Sequence, residues 1–267
     1  YYLDLMQPAS RHYQVDPMKG ATAGLSPEEK SRILGGEACM WVEFVTTENV
    51  DSRIWPRLAA IAERLWSPEE VTDVDSMYRR LEIESRRLDT LGLTHRSSYP
   101  VMLERLTALS PIGGLRTLAD LLEPVKEYAR EEARAYTSLT PLNRLVDAER
   151  PESDAAREFA ALVADWKSHR GEIRQRLTRW RDDTSNALPL MQRSALLQED
   201  VPLAEDVSAL SAAGLQALDY LDSGKPAPAA WVTEQLALCD RAAKPRAELL
   251  IMMTPSIRAL VEASQSK

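Results

Sequence analysis

Four side chains near the start of the chain are of the types that bind sugars. Tyr2 and Asp4 lie on one strand-like run, and Trp41 and Glu43 lie on a second. An indole packs on the apolar face of a pyranose ring, carboxylates accept hydrogen bonds from hydroxyls, and a phenol can donate one to a carbonyl. In a parallel βα barrel the active site sits at the carboxyl ends of the strands. Together these residues predict part of a sugar pocket.

The two strand-like runs are defined by alternation. In residues 1–5, Tyr2 and Asp4 share one face while leucines occupy the other. In residues 35–45, Trp41 and Glu43 share a face with Glu37 and Cys39, and apolar residues form the opposite face. The period alone also fits an edge strand whose carboxylates are solvated, so it does not decide between the two interpretations.

Helical patterns surround these runs. Ser26 and Glu29 form a capping-box pattern at the start of a short helix. Two longer helices are predicted, one from Trp55-Pro56 to about Ser67 and one over residues 73–92. Strands that alternate with helices predict parallel βα units, but two strands cannot close a sheet or bury both of its faces. This part of the chain is therefore expected to be incomplete by itself.

The rest of the chain is predicted to be helical. A Pro-, Gly- and Ser-rich stretch at 97–112 is the expected linker, and residues 113–267 show no convincing strand. Continuous helix is predicted over 115–136, and a long helix carries the apolar stripe from Phe159 to Trp180. Such stripes are usually core. The predicted fold class is mainly α: a partial (β/α)8 barrel in residues 1–96, followed by an all-α, bundle-like domain in 113–267.

Composition limits the partners and cofactors. The 267 residues contain 44% hydrophobic and 28% charged residues with a net charge of −8, which describes a soluble globular protein and argues against nucleic acid or an anionic membrane as partner. No metal or other cofactor is predicted, because the cysteines and histidines are scattered. These are Cys39, Cys239, His12, His95 and His169. A disulfide between the two cysteines has no support in the sequence.

Three motifs resemble the end of the catalytic domain of glycoside hydrolase family 20, the β-N-acetylhexosaminidases. They are GGEACMWVEF at residues 35–44, RIWPR at 53–57 and AERLWS at 62–67, with YLDL at 2–5 matching the preceding strand. The resemblance covers about residues 1–95. It implies a (β/α)8 barrel of which these strands are the seventh and eighth. It also implies removal of terminal non-reducing β-linked N-acetylglucosamine or N-acetylgalactosamine from glycans.

The resemblance also implies roles for the four residues. Tyr2 would donate a hydrogen bond to the 2-acetamido carbonyl of the substrate, and Trp41 would wall the pocket against the acetamido group and the ring. Asp4 and Glu43 would bind the O4 and O6 hydroxyls. In this family the substrate's own acetamido oxygen is the nucleophile, which gives an oxazolinium intermediate and net retention.

The sequence departs from the family in one respect that bears on activity. The family's neighbouring Asp-Glu pair, which orients the acetamido group and protonates the leaving oxygen, occurs nowhere in these residues, and the upstream sugar-gripping Arg is also missing. Glu37 and Glu43 cannot replace the pair, because both lie on one strand. The chain is therefore expected to be the C-terminal portion of such an enzyme and to be inactive alone.

Charged residues around the second run have a structural interpretation. Glu37, Arg53, Arg57, Glu63 and Arg64 are more often paired with one another at the closure of a barrel than bound to ligand. Three hypotheses for the chain stay open: an enzyme portion whose partner is the missing N-terminal part of the barrel, a helical structural or interaction module that packs on the barrel or pairs subunits into a homodimer, and an inactive lectin-like pocket.

Overall fold

The computed structural model describes residues 1–265 of the chain. It divides into two compact units, of which the first contains Tyr1–Tyr99 and Lys126–Tyr128. The second contains Pro100–Val125 and the described residues from Ala129 onward. Among the described residues, no helix combines the length and apolar character that crossing a membrane requires.

The first unit is built mainly from short helices. Two are 3₁₀ helices, Leu3–Leu5 and Gly20–Thr22. The α-helices are α1 (Ala9–Tyr13), α2 (Pro27–Lys30), α3 (Val50–Ile54), α4 (Arg57–Trp66) and α5 (Val74–Thr90). Helix α6 (Ser98–Leu106) crosses the boundary between the units along the chain.

The predicted strands of the first unit shorten to a single parallel bridge between Tyr2 and Cys39. Leu3 N–H donates to the Cys39 carbonyl at 2.9 Å, and Cys39 N–H donates to the Tyr1 carbonyl at 2.8 Å. The parallel direction agrees with the prediction, but the extent of the strands does not, because Leu3–Leu5 is a 3₁₀ helix. A pair of strands without a third neighbour has too few partners to extend a ladder.

The predicted helices of the first unit are confirmed. Ser26 Oγ accepts from Glu29 N–H at 3.3 Å and Glu29 returns the bond to Ser26 N–H at 2.8 Å, which is the capping box of α2. Asp73 caps α5 by accepting from Ser76 N–H at 2.9 Å. Helices α1, α4 and α5 share one apolar core. It contains Ala9, Tyr13, Ala60, Met77 and Leu81.

Buried charges fasten these elements together. Arg57 is 1% exposed and donates to the Gln7 carbonyl at 2.8 Å and to the Leu3 carbonyl at 3.1 Å. Arg64 donates to the Val71 carbonyl at 2.6 Å and so holds the segment that follows α4. These two arginines donate to backbone carbonyls of their own unit, which is a structural role as predicted, although the prediction was that the charges would pair with one another.

Glu63 joins α1, α4 and α5. Its carboxylate accepts from Tyr13 Oη at 2.6 Å and from Arg80 Nε at 3.1 Å. Burial would raise the pKa of Glu63, but the hydrogen bond from Arg80 outweighs it and lowers that pKa. Glu63 is therefore an ionised structural residue, as the sequence-based interpretation proposed.

The second unit contains, within its described residues, eight further α-helices, the 3₁₀ helix Gln198–Asp200 and two short strands. The helices are α7 (Gly113–Ala119), α8 (Ala129–Ala133), α9 (Leu145–Ala148), α10 (Asp154–Ala164), α11 (Trp166–Arg193), α12 (Val201–Ser223), α13 (Ala229–Ala242) and α14 (Thr254–Ala263). The strands are β1 (Leu122–Pro124) and β2 (Leu249–Ile251). They pair antiparallel, with Leu122 opposite Ile251 and Pro124 opposite Leu249.

Two predictions for this unit are wrong. The domain is not all-α, because β1 and β2 form a two-stranded sheet, and the continuous helix over 115–136 is interrupted by β1. Each strand has only three residues, so neither shows a period, and the partner of each strand is distant in sequence. Pro124 within the predicted helix was the local sign against it, since proline removes a helical N–H donor.

The apolar stripe of the second unit is core, as predicted. Ile173, Leu177 and Trp180 on α11 are 6% exposed or less. The rings of Phe159 and Trp180 meet edge-on, with centroids 4.7 Å apart and planes at 66°. The stripe belongs to two helices rather than to one, since α10 ends before Asp165, whose φ of −119° and ψ of 52° are not helical.

Gly114 marks a close approach of α7 to α11, and Gly114→Ala is expected to destabilise the unit. A Cβ there would lie 2.5 Å from the backbone oxygen of Asp183 and 3.0 Å from the Ala187 Cβ. Such overpacking costs about 1–3 kcal/mol. Gly171→Ala in α11 is the matched control, because a Cβ there has nothing within 4 Å. It should raise the free energy of unfolding by about 0.5–1 kcal/mol. Urea unfolding of both variants measures the difference, and an equal gain at both positions would contradict the close contact.

Candidate functional site

The structure brings Asp4 to the backbone of the segment that holds the other predicted site residues. Asp4 Oδ2 accepts from Trp41 N–H at 2.7 Å, and Asp4 Oδ1 accepts from Val42 N–H at 3.0 Å and from Glu43 N–H at 3.4 Å. One carboxylate therefore collects three successive backbone donors. We call Asp4 and the N–H groups of residues 41–43 the Asp4 clamp. Its hydrogen bonds fix the backbone positions of Trp41 and Glu43.

The turn inside the clamp has an unusual backbone. Val42 has a φ of 64°, in the left-handed region that β-branched residues rarely occupy. Backbone conformations of this kind cost about 1–3 kcal/mol and persist where surrounding contacts impose them. The hydrogen bonds that Asp4 accepts from residues 41–43 supply that constraint, so the conformation of the turn depends on a residue far away in sequence.

Tyr2 completes the set. Its hydroxyl donates a hydrogen bond to the Glu43 carboxylate, in a short contact between the two side chains. This hydrogen bond raises the pKa of the Tyr2 phenol well above its usual value, with smaller contributions from burial and from the charges of Glu43 and Asp4. The phenol therefore stays protonated and available as a donor at every pH at which the protein would work.

The exposed surfaces of the site are an indole and a carboxylate. Trp41 is 72% exposed, and Glu43 is also exposed, whereas Tyr2 and Asp4 are half-buried. A carboxylate offers about four lone-pair positions, so Asp4 can accept a ligand hydroxyl in addition to its three backbone donors. The arrangement combines one phenol donor, two carboxylate acceptors and an open aromatic face, which is the chemistry of hydroxyl-rich ligands.

The sequence did not predict that residues 126–128 belong to the unit that carries this site. Glu127 N–H donates to the Leu5 carbonyl at 3.1 Å, directly after the segment that holds Tyr2 and Asp4. These three residues fall inside the stretch predicted as continuous helix. Nothing in their composition signals an association with residues so distant in sequence.

Other polar clusters give no metal centre. No group of three or more His, Cys, Asp or Glu side chains with the proximity a metal needs occurs among residues 1–265. His95 Nε2 lies 2.8 Å from Ser85 Oγ in the interior of the first unit, and Cys39 and Cys239 are free thiols. His169 lies near Asp165 on the surface of the second unit.

Two cavities lie away from the four site residues. One of about 630 Å³ lies between α4 and α5, lined among others by Trp55, Ala59 and Met77. The other, of about 440 Å³, lies in the second unit beside Arg134 and Glu248. None of Tyr2, Asp4, Trp41 and Glu43 lines either cavity.

His12 should make the first unit sensitive to acid. It is 5% exposed on α1, and burial, reinforced by the positive charge of Arg57, lowers its pKa from 6.5 to about 4. His12 is therefore protonated near pH 6.5 in the unfolded chain but only near pH 4 in the folded protein. Stability is fully present above pH 6.5 and falls as the pH drops toward 4, by a total of about 3 kcal/mol.

The His12→Gln variant isolates this contribution, because glutamine carries no proton that titrates in this range. Free energies of unfolding at pH 7 and pH 4.5 should differ less in the variant than in the unchanged protein. Equal losses in both proteins would assign the acid sensitivity to carboxylates instead.

A family model and several relatives match the part of the chain that holds the site. The model of the glycosyl hydrolase family 20 catalytic domain matches residues 1–69. The beta-hexosaminidase subunit beta of Mus musculus is 39% identical over 102 residues, which cover 37% of this chain and 18% of that protein. The subunit alpha of the same species is 48% identical over 69 residues, which cover 26% of this chain and 12% of that protein.

A solved structure matches nearly the whole chain. The X-ray structure of the Flavobacterium johnsoniae chitobiase superposes with a TM-score of 0.87 at 33% sequence identity. The match covers 97% of this chain and 40% of the chitobiase, so both units have counterparts in that protein and the chain spans less than half of its length. Residues 1–69 are therefore similar to the glycosyl hydrolase family 20 catalytic domain, and nearly the whole chain is similar to part of a chitobiase.

Proposed function

We propose that the chain is the C-terminal portion of a β-N-acetylhexosaminidase. The complete enzyme removes terminal non-reducing β-linked N-acetylglucosamine or N-acetylgalactosamine from glycans by substrate-assisted, retaining hydrolysis. The family match at residues 1–69 supports this, because it includes all four of Tyr2, Asp4, Trp41 and Glu43. The single observation that carries the proposal is the contact of the Tyr2 hydroxyl with Glu43 above the Asp4 clamp.

The contact between Tyr2 and Glu43 suggests how a substrate would engage the site. When a sugar enters, its acetamido carbonyl takes the hydrogen bond that Tyr2 now gives to Glu43. The released Glu43 carboxylate can then accept from a sugar hydroxyl, as can the remaining lone pairs of Asp4. Trp41 offers its exposed indole to the acetamido group and the ring. A fixed donor on the acetamido oxygen holds that nucleophile at attack distance from the anomeric carbon.

The chain supplies binding groups but no acid for the leaving oxygen. No adjacent Asp-Glu pair in the family's setting occurs in its sequence, so we assign that role to residues that precede Tyr1 in the complete protein. In this proposal residues 1–96 contribute strands seven and eight of the barrel, residues 97–112 link, and residues 113–267 form the C-terminal helical domain. Its partners are N-acetylhexosamine glycans and the N-terminal part of the barrel.

Activity assays on two proteins test the proposal. The 267-residue chain and a longer protein that includes the preceding barrel residues are incubated with an aryl β-N-acetylglucosaminide. We expect turnover only from the longer protein. Turnover by the chain alone would contradict the need for the Asp-Glu pair, and none from the longer protein would contradict the enzyme proposal itself.

A second candidate function concerns the helical domain. The chitobiase match extends over 97% of the chain, whereas the catalytic-domain model matches only residues 1–69. This extent favours a structural role for the helical domain. The domain either packs on the barrel or pairs two subunits. Sedimentation of the longer protein would separate these roles, since only subunit pairing predicts a dimer. If the longer protein is inactive yet binds N-acetylglucosamine tightly, the lectin-like alternative is favoured.

A further inference from the structure

Three residues of the first unit, Lys126–Tyr128, lie in sequence between β1 and α8 of the second unit. The backbone of this segment contacts the turn formed by residues 3–7, because Glu127 N–H donates to the Leu5 carbonyl at 3.1 Å. The side chain makes a second contact, since Gln7 Nε2 donates to the Glu127 carboxylate at 2.5 Å. Backbone and side chain of Glu127 therefore both bind the turn that holds one of the site carboxylates.

This turn, residues 3–7, is also held at its two ends. Buried Arg57 donates to the carbonyls of its first and last residues, at 3.1 and 2.8 Å. Glu127 N–H binds the carbonyl in the middle of the turn, that of Leu5, which is next along the chain from Asp4. Arg57 therefore fixes where the turn begins and ends, and Glu127 fixes the part that adjoins Asp4.

The position of the Asp4 carboxylate matters for the whole site. It accepts from the N–H groups of residues 41–43 and so holds the turn at Val42. Its remaining lone pairs are the acceptors that the proposed function assigns to a sugar hydroxyl. A misplacement of about 1 Å can weaken a contact of this kind strongly. In this arrangement Glu127 acts on the sugar through Asp4.

Glu127 itself has a backbone conformation that its contacts must impose. Its φ of 55° lies in the left-handed region, where a residue other than glycine is uncommon. Such conformations persist only where the surrounding structure imposes them, and they concentrate at functional sites. The side chain of Glu127 is exposed, so burial does not account for its conformation. The two hydrogen bonds with Leu5 and Gln7 do account for it.

We propose that Glu127 is a positioning residue of the sugar site. It holds Asp4 where the carboxylate accepts from the O4 or O6 hydroxyl of the terminal sugar, and it thereby sets the preference for substrates that carry these hydroxyls. This inference rests on the proposed function for the identity of the ligand. The positioning of Asp4 rests on the two hydrogen bonds of Glu127 alone.

Two substrates test this role in the complete enzyme. One is an aryl β-N-acetylglucosaminide, and the other is its analogue without the O4 and O6 hydroxyls. Glu127→Ala is expected to lower kcat/KM about 10-fold for the first and only about 2-fold for the analogue, because the analogue offers Asp4 no hydroxyl to bind. A smaller folded fraction would lower both values equally. Equal losses on the two substrates, or no loss on the first, would overturn the role in specificity.

The bond between the side chains of Gln7 and Glu127 can be reversed, which provides a rescue. Glu127→Gln keeps an acceptor oxygen and should stay within about 2-fold of the unchanged enzyme. Gln7→Glu brings two carboxylates together and should resemble Glu127→Ala. The double variant Gln7→Glu with Glu127→Gln again pairs an amide with a carboxylate, so it should restore the ratio of the two kcat/KM values. A double variant no better than Gln7→Glu would contradict the role of this bond, even if Glu127→Ala does not fold.

Amide hydrogen exchange keeps the test independent of the proposed function. The N–H groups of Trp41 and Val42 donate to Asp4, so Glu127→Ala should speed their exchange about 10-fold. If the complete enzyme hydrolyses neither substrate, the proposed function fails, and these exchange rates still decide whether Glu127 holds Asp4. Unchanged exchange at both amides would overturn the positioning role, whatever the kinetics show.

A second glutamate of the first unit provides the matched control. Glu28 on α2 accepts from Arg32 Nη2 at 2.8 Å, and its side chain is 81% exposed. Glu28→Ala therefore makes the same substitution and breaks one surface contact. It should alter neither the exchange rates nor the two kcat/KM values. Effects as large as those of Glu127→Ala would assign the losses to surface charge and overturn the positioning role.

Discussion

Replacing Tyr2 by Phe is expected to lower kcat of the complete enzyme about 10²–10³-fold, with a much smaller change in KM. The substitution removes one hydroxyl, the donor that we assign to the substrate's acetamido oxygen, and keeps the ring. That hydroxyl now contacts Glu43, and its raised pKa keeps the proton in place. Because charge develops on the acetamido group as it attacks, the bond to Tyr2 is stronger in the transition state than in the bound substrate.

The neighbouring tyrosine provides a matched control for this experiment. Tyr1→Phe removes the same atom, and within residues 1–265 the Tyr1 hydroxyl hydrogen-bonds only to a backbone carbonyl, that of Val15 at 3.4 Å. It should leave kcat within about 2-fold, since a neutral hydrogen bond this long contributes little. Steady-state kinetics on an aryl β-N-acetylglucosaminide would measure both. Similar kcat values for the Tyr2→Phe variant and the unchanged enzyme would remove Tyr2 from the proposed mechanism.

Replacing Glu248 by Gln is expected to lower the free energy of unfolding of the second unit by about 3–5 kcal/mol. The side chain of Glu248 is buried and accepts from Arg130 Nε at 2.8 Å, from Tyr136 Oη at 2.5 Å and from Arg144 Nη1 at 2.5 Å. Burial alone would raise the pKa of Glu248, but these hydrogen bonds outweigh it and lower that pKa. A neutral amide in its place leaves three guanidinium groups, those of Arg130, Arg134 and Arg144, with one fewer counter-charge.

An exposed ion pair of the same unit provides the control, because the loss of its charge should cost much less free energy of unfolding. Glu172→Gln on α11 removes a partner of Arg176 at 2.8 Å, and the Glu172 side chain is 46% exposed. Its expected cost is below about 1 kcal/mol. Urea unfolding followed by circular dichroism should therefore separate the two glutamine variants clearly. If Glu248→Gln costs no more than Glu172→Gln, the buried network does not stabilise the fold.

Local patterns predicted the helices of the first unit well, because the signals lie within each segment. The capping box at Ser26 and the apolar faces of α4 and α5 are signals that neighbours in sequence carry by themselves. The proximity of Tyr2 to Glu43 followed from the expectation of two parallel strands, of which the structure retains one bridge. What alternation could not predict is the turn at Val42, because its cause is the Asp4 carboxylate and lies outside the run itself.

Contacts between distant residues account for the failures. The pairing of β1 with β2 and the packing of Glu127 against Leu5 join residues more than a hundred positions apart, and a single sequence gives no sign of either. The prediction for Asp4 was incomplete for the same reason. Its carboxylate was predicted to bind sugar hydroxyls, but the three backbone N–H groups that donate to it could not be inferred from alternation. Residue types indicated the chemistry, and tertiary contacts determined its geometry.

The assignment of Lys126–Tyr128 to the first unit has a consequence for the exchange of domains between relatives. A cut after residue 99 does not release the first unit intact, because it leaves Lys126–Tyr128 on the other piece. A chimera that takes its helical domain from a relative must therefore import a sequence compatible with Leu5 and Gln7 at the equivalent of Glu127. The two units are interleaved in the chain, so evolution and engineering can exchange them only together with those three residues.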